Sequence, residues 1–181
     1  MSAAGSRPAR RFFALWPGQE TRHQLARAAR GCLVAGAGRP VAPADFHLTL
    51  LFLGTPDARQ QAGLVAAARE LAVPAFDLVL DRCGCFEAAG VLWLGCSVVP
   101  VALAELAAAL AAQARALGLQ IDPRPFRPHV SIARRPAMPP RQVVVAPPVR
   151  WQVGGFALLA SRDGVQGGAR YLVEHRFPDS G

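Results

Sequence analysis

The chain contains no lysine: all twenty of its basic residues are arginine. A lysyl-adenylate intermediate is therefore excluded, and with it ATP-dependent ligase chemistry of that kind. The same bias, beside abundant Ala and Gly, points to GC-rich coding, so arginine frequency alone says little about function. Cysteine is scarce, and Cys32, Cys83, Cys85 and Cys96 lack the C-x-x-C spacing of zinc frameworks. Their apolar surroundings predict reduced, mostly buried thiols in a cytoplasmic protein. No stretch approaches the roughly 20 apolar residues of a membrane-spanning helix. The basic "MSAAGSRPARR" is followed only by "FFALWP", too short for the apolar part of a signal peptide, so no membrane association is expected. Nothing matches a Gly-rich phosphate loop ending in Lys-Ser or Lys-Thr. No carboxylate cluster accompanies the histidines singled out below, which argues against a metallohydrolase; neither metal nor cofactor is expected.

What is present fits one domain. With 181 residues, 52% of them apolar, the chain can bury a sizeable core. The net charge of +8 and pI near 11.1 create a field that draws polyanions, making nucleic acid or a phosphorylated small molecule the leading partner class.

Apolar and turn residues divide the chain into alternating elements. "RFFALWP" (11–17) reads as a strand and 18–34 as a helix, with Leu25, Ala26, Ala29 and Cys32 at helical spacing. A Pro- and Gly-rich loop leads into "FHLTLLFLG", a strand closed by Gly54. A helix over 57–71 begins at Asp57 or Thr55 as N-cap. "AFDLVLDRCGCF" and "GVLWLGCSVV" form a hairpin, and a helix runs from Pro100 to near Gly118. "HVSIARR" is a further strand; "PAMPPRQVVVAPP" reads as a Pro-rich loop. Two last strands, near 150–160 and 169–177, frame "SRDGVQGG". The layout repeats roughly once, with residues 1–10 as a flexible tail. It predicts a single α+β domain of two pseudo-symmetric lobes, central antiparallel sheets forming a groove and helices outside.

Two short segments carry the chemistry. Residues i and i+2 of a strand share a face, so His47 and Thr49 point one way while Leu48, Leu50 and Phe52 point the other. In "PHVSIAR", 82 positions later, His129 and Ser131 share a face opposite Val130 and Ile132. One histidine in a strand is more often structural than catalytic. Two, each with a hydroxyl at i+2 and each preceded by a Pro-containing loop, can divide general acid and general base work near neutral pH. His23 and His175 lack the i+2 hydroxyl and read as surface or structural, and Asp45 as a turn residue.

This pair of H-x-[ST]-x motifs resembles the 2H phosphoesterase superfamily, and within it the LigT-like RNA 2′,3′-cyclic phosphodiesterases, also called 2′-5′ RNA ligase-like proteins. "RFFALWP", "FHLTLLFLG", "GVLWLGC", "FRPHVSIAR" and "FALLASRDGVQGGARYLVEHRFP" follow the family's order over nearly the whole chain. The resemblance implies a metal-independent hydrolase that opens the 2′,3′-cyclic phosphate of an RNA end, tRNA among them, or of a cyclic nucleotide, leaving a 2′-phosphate. It implies His47 as acid for the 3′ oxygen, His129 as base for water, and Thr49 and Ser131 on the non-bridging oxygens. Reversible 2′-5′ ligation, another cyclic phosphate or a 2′-5′ oligonucleotide as substrate, and binding of RNA ends without turnover stand as alternatives. A monomer is expected.

The family also places an Arg five residues after the second histidine, here Arg134. Strict alternation points Arg134 to the wrong face and favours Arg135, so Arg134 serves only if the strand ends or bulges before it. Alternation likewise sends Phe12 and Phe13 to opposite faces, so at most one of them, with Phe13 taken as the candidate, can stack on a base or ribose, core packing being the ordinary role of each. Phe126, Arg127 and Tyr171 are further rim candidates.

Overall fold

The computed structural model describes residues 9–33, 38–137, 142–162 and 170–178. Most of the 1–10 tail and most of the turn "SRDGVQGG" lie outside them. Among the described residues nine strands form one antiparallel sheet: β1 (Arg11–Leu15), β2 (Arg39–Pro40), β3 (Leu48–Gly54), β4 (Phe76–Phe86), β5 (Val91–Gly95), β6 (His129–Arg134), β7 (Val143–Val153), β8 (Phe156–Ser161) and β9 (Tyr171–Phe177). Three helices accompany it: α1 (Gln19–Cys32), α2 (Ala58–Arg69) and α3 (Val101–Ala116).

Local chemistry sets the helix limits. Asp57 caps α2 by accepting from the Gln60 N–H at 2.7 Å, while the Gln60 side chain accepts from the Asp57 N–H at 3.1 Å, a reciprocal capping box. α3 starts after Pro100 and buries Leu103, Leu106, Ala107, Leu110 and Ala114, one stripe of a 3.6-residue period. Gly118 then takes the left-handed conformation, φ 78°, that glycine adopts without steric cost, and ends it.

The sheet order is β7-β4-β5-β6-β3-β1-β8-β9, with β2 on β6. The two halves of the chain exchange strands. β4, from the first half, joins β5 and β6, while β8 and β9, from the second, join β1 and β3. The expected pair of sheets is thus one continuous sheet. Its halves meet between β3 and β6 through a single registered pair, Leu48 and Val130. The main core lies on the face covered by the helices and includes Phe13, Leu25, Leu48, Leu64, Leu110, Val130 and Ile132. A small cluster, Phe12, Ala14, Ala157 and Leu159, lies on the opposite face.

The Pro-rich segment is corrected. β7 begins at Val143, pairs with β4 and ends at Val153, so the expected strand near 150–160 is the end of β7 and the start of β8, divided at Gly154-Gly155. Prolines cannot donate to a ladder. Here the register passes from Leu80↔Val149 to Arg82↔Val144, so that Pro147 and Pro148 fall in the irregularity between paired residues.

Candidate active site

The junction of β3 and β6 brings the two motifs together. Directly opposite residues of an antiparallel pair share a face. Leu48 and Val130 are both fully buried on the core side, so the register places His47, Thr49, His129 and Ser131 together on the other face. Their side chains are half-buried there.

The two imidazoles are held in the same way. His47 Nδ1 lies 2.7 Å from the Asp45 carbonyl oxygen, and His129 Nδ1 lies 2.7 Å from the Arg127 carbonyl oxygen. A carbonyl can only accept, so each Nδ1 carries the hydrogen and donates it. Each Nε2 is left as the atom that exchanges protons. Asp45 therefore orients His47 through its main chain. Its carboxylate, nearly fully buried, accepts the Arg170 N–H at 2.8 Å instead.

Aromatic rings wall each histidine. Tyr171 stands edge-on to His47 at 4.8 Å and Phe12 lies 5.0 Å away. Phe86 stands edge-on to His129 at 4.9 Å, beside Trp93. Gly84 and Gly95 make room for the Trp93 indole: a Cβ on Gly84 would approach it to 2.5 Å and one on Gly95 to 3.0 Å.

Burial lowers the pKa of both histidines. His47 falls from 6.5 to about 4, through desolvation first, with the charges of Arg134 and His129 adding and the Asp45 carbonyl and carboxylate opposing. His129 is lowered by desolvation and by Arg134, against its hydrogen bond to Arg127. Between the ordinary and the lowered value, the unfolded chain binds a proton that the folded protein refuses, so stability falls with falling pH. Acidification from pH 6.5 toward 4 is expected to cost on the order of 3 kcal/mol through His47. Urea unfolding across that range checks this. The slope should flatten in His47→Gln; an equal slope in both proteins would contradict it.

Two β-bulges decide which further side chains reach the groove. Between β5 and β6 the register steps from Trp93↔Ser131 to Leu92↔Ala133, leaving Ile132 unpaired. Alternation resumes one residue later, so Arg134, paired with Val91, returns to the face of Ser131. Its charge is felt by both histidines. Arg135 lies beyond the strand with φ 54°, its N–H donating to the Gly90 carbonyl at 2.7 Å. Gly38 fits against this corner, where a Cβ would come within 2.3 Å of the Arg134 carbonyl.

An equivalent bulge follows the first motif. Phe13↔Leu51 and Ala14↔Thr49 leave Leu50 unpaired, three residues after His47 as Ile132 is after His129. Phe52 is thereby corrected: it is not buried with Leu48 and Leu50 but 64% exposed, 5.8 Å from Phe12. Phe13 is also corrected. It is in the core, edge-on to Phe156 and Phe177, and Phe12 takes the groove face. Among the rim candidates, Tyr171 is at the groove, Arg127 is exposed and holds His129 through its carbonyl, and Phe126 packs on the core. Trp16, in "RFFALWP", stacks 6.4 Å from His47, a placement that strand alternation does not predict because the residue lies just past the end of β1. Among the described residues, no group of three or more His, Cys, Asp or Glu is placed to hold a metal ion, and no helix is long and apolar enough to cross a membrane. All four cysteines are free.

One face of the β3–β6 junction thus carries two imidazoles, two hydroxyls and an arginine, the set of groups expected of a two-histidine phosphoesterase. The sequence pattern of the 2′-5′ RNA ligase superfamily matches residues 18–165, and the chain belongs to that superfamily. It is 36% identical to an RNA 2′,3′-cyclic phosphodiesterase of Escherichia coli, over 95% of this chain and 97% of that one. It is 32% identical to one of Thermus thermophilus, over 84% and 81% of the respective chains. The crystal structure of Escherichia coli LigT complexed with 3′-AMP superposes with a TM-score of 0.86 at 33% identity, covering 94% of this chain and 98% of that one.

Proposed function

We propose that the protein hydrolyses the 2′,3′-cyclic phosphate of RNA ends to a 2′-phosphate by acid and base catalysis from His47 and His129. The observation that carries this reading is the matched pair of imidazoles, each with Nδ1 fixed by a carbonyl and, among the described residues, no hydrogen-bond partner at Nε2. Water attacks phosphorus in line with the departing 3′ oxygen, so the base and the acid must stand on opposite sides of the phosphate. Histidines on two strands meeting edge to edge meet that demand. His129 Nε2 takes a proton from water as the new P–O bond forms. His47 Nε2 gives one to O3′ as the P–O3′ bond breaks, and proton exchange with solvent resets both.

In the free protein both histidines are neutral at pH 7 by the shifts above. The cyclic phosphodiester brings a negative charge beside Arg134, offsets its influence and raises both pKa values, so the acid acquires its proton in the complex. Thr49 and Ser131 donate to the non-bridging oxygens, and Arg134 balances charge that grows toward the transition state. With a 5′-hydroxyl in place of water the same steps open the cyclic phosphate to a 2′-5′ linkage, O3′ again leaving with the proton from His47, and their reversal cleaves that linkage.

The test is hydrolysis of adenosine 2′,3′-cyclic phosphate in EDTA followed by phosphorus NMR. The 2′-phosphate is expected as sole product. A 3′-phosphate alone would reject the proposed bond cleavage, and binding without turnover would favour a binding module.

A further inference from the structure

We propose that Arg22 and Arg176, gathered at the Trp16 ring, form a second phosphate subsite that takes the phosphodiester 5′ of the terminal nucleotide, so that the protein favours an RNA end over a cyclic mononucleoside phosphate. The inference rests on the proposed function for the identity of the first phosphate.

A cavity of about 340 Å³ is lined by Trp16, Gly18, Thr21, Gly154, Gly155 and Arg176 among others. Trp16 connects it to the site, since its ring also stacks 6.4 Å from His47. The Arg22 guanidinium lies over the same indole, 5.1 Å from the ring centre. Arg176 reaches this side because β9 bulges at Glu174: the register passes from Val173↔Leu159 to His175↔Leu158, which puts Arg176 opposite Ala157, a member of the groove-face cluster. The histidine, the indole and the two arginines therefore follow one another along one surface.

The arrangement is costly without an anion. Arg22 donates from Nη2 to the Pro17 carbonyl at 3.1 Å, but its Nε is buried with no partner. Burial and the like charge of Arg176 hold the Arg22 guanidinium below its ordinary pKa, opposed by Asp45. Among the described residues no carboxylate forms an ion pair with Arg176. A buried N–H without a partner and two cations drawn together are both relieved by one phosphodiester, whose oxygens match the planar guanidinium. The Thr21 hydroxyl, on the same cavity wall, supplies a neutral donor. A cyclic mononucleoside phosphate has no group to offer there. An RNA end does, one nucleotide's length from the phosphorus under attack.

The experiment compares kcat/KM for adenosine 2′,3′-cyclic phosphate with and without a 5′-phosphate. Reading the ratio cancels any general loss of activity. In the wild type the 5′-phosphate is expected to raise kcat/KM about tenfold or more, as charge-assisted hydrogen bonds do. Arg176→Gln and Arg22→Gln should each bring the ratio close to one. A wild-type ratio near one, or a ratio that survives both substitutions, overturns the subsite. If the wild type turns over neither compound, the proposed function fails instead. The subsite is then read from the ratio of dissociation constants of adenosine 2′-phosphate and adenosine 2′,5′-bisphosphate, with the same two outcomes.

Discussion

Replacing His47 or His129 by alanine is expected to lower kcat toward a 2′,3′-cyclic phosphate by at least about 10²-fold in each case. The magnitude follows from what each side chain supplies. In the proposed mechanism each Nε2 exchanges a proton with an oxygen whose charge changes in the transition state, and no other imidazole is available to take over. His23 is exposed on α1, and His175 sits on β9 beside Phe177. Because in-line displacement needs both transfers in one passage, the double variant should be little slower than the worse single one. Steady-state rates of the three variants check this. A single variant within a few-fold of wild type would remove that histidine from the mechanism.

Replacing Arg134 by glutamine is expected to lower kcat/KM by about 10²- to 10³-fold, the range for loss of one donor to a developing oxyanion. A second effect separates this from a loss of fold. The Arg134 charge lowers the pKa of both His47 and His129, so its removal should raise both. NMR titration of the histidine ring protons in the free protein reads this directly, and both midpoints should move to higher pH. Arg135→Gln should leave them in place, because Arg135 lies past the end of β6 with its backbone tied to Gly90. Equal upward shifts in both variants would show that neither arginine is specifically placed.

The paired motifs were legible because they depend only on sequence spacing close to the strand junction, where alternation holds: His47 with Thr49, and His129 with Ser131. Alternation fails three residues further on in both strands, and a bulge has no signature in an apolar run such as "LLFLG" or "SIARR". That one insertion explains why Phe52 belongs to the exposed wall rather than the core. It also supplies the condition under which Arg134 reaches the groove. Phe12 and Phe13 were separable as a pair but not in sense. Which of two adjacent aromatics faces the helices is set by the register of β1 on β3 and β8.

β7 was hidden because its prolines disqualify an ordinary strand, and only the irregular pairing with β4 accommodates them. The exchange of strands between halves was equally invisible, since the order of elements along the chain does not say which edge each joins. Arg22 and Arg176 lie 154 positions apart and come together only through the placement of α1 and β9.

The division of labour between the two histidines is tested most directly with a cyclic substrate whose 3′ bridging oxygen is sulfur. A thiolate leaves without a proton, so the acid becomes dispensable and the base does not. Single-turnover hydrolysis of this compound by His47→Ala should come within about tenfold of wild type, while His129→Ala should remain slower by at least about 10²-fold. Equal impairment of both variants, or rescue of His129→Ala alone, would contradict the assignment of His47 as acid and His129 as base.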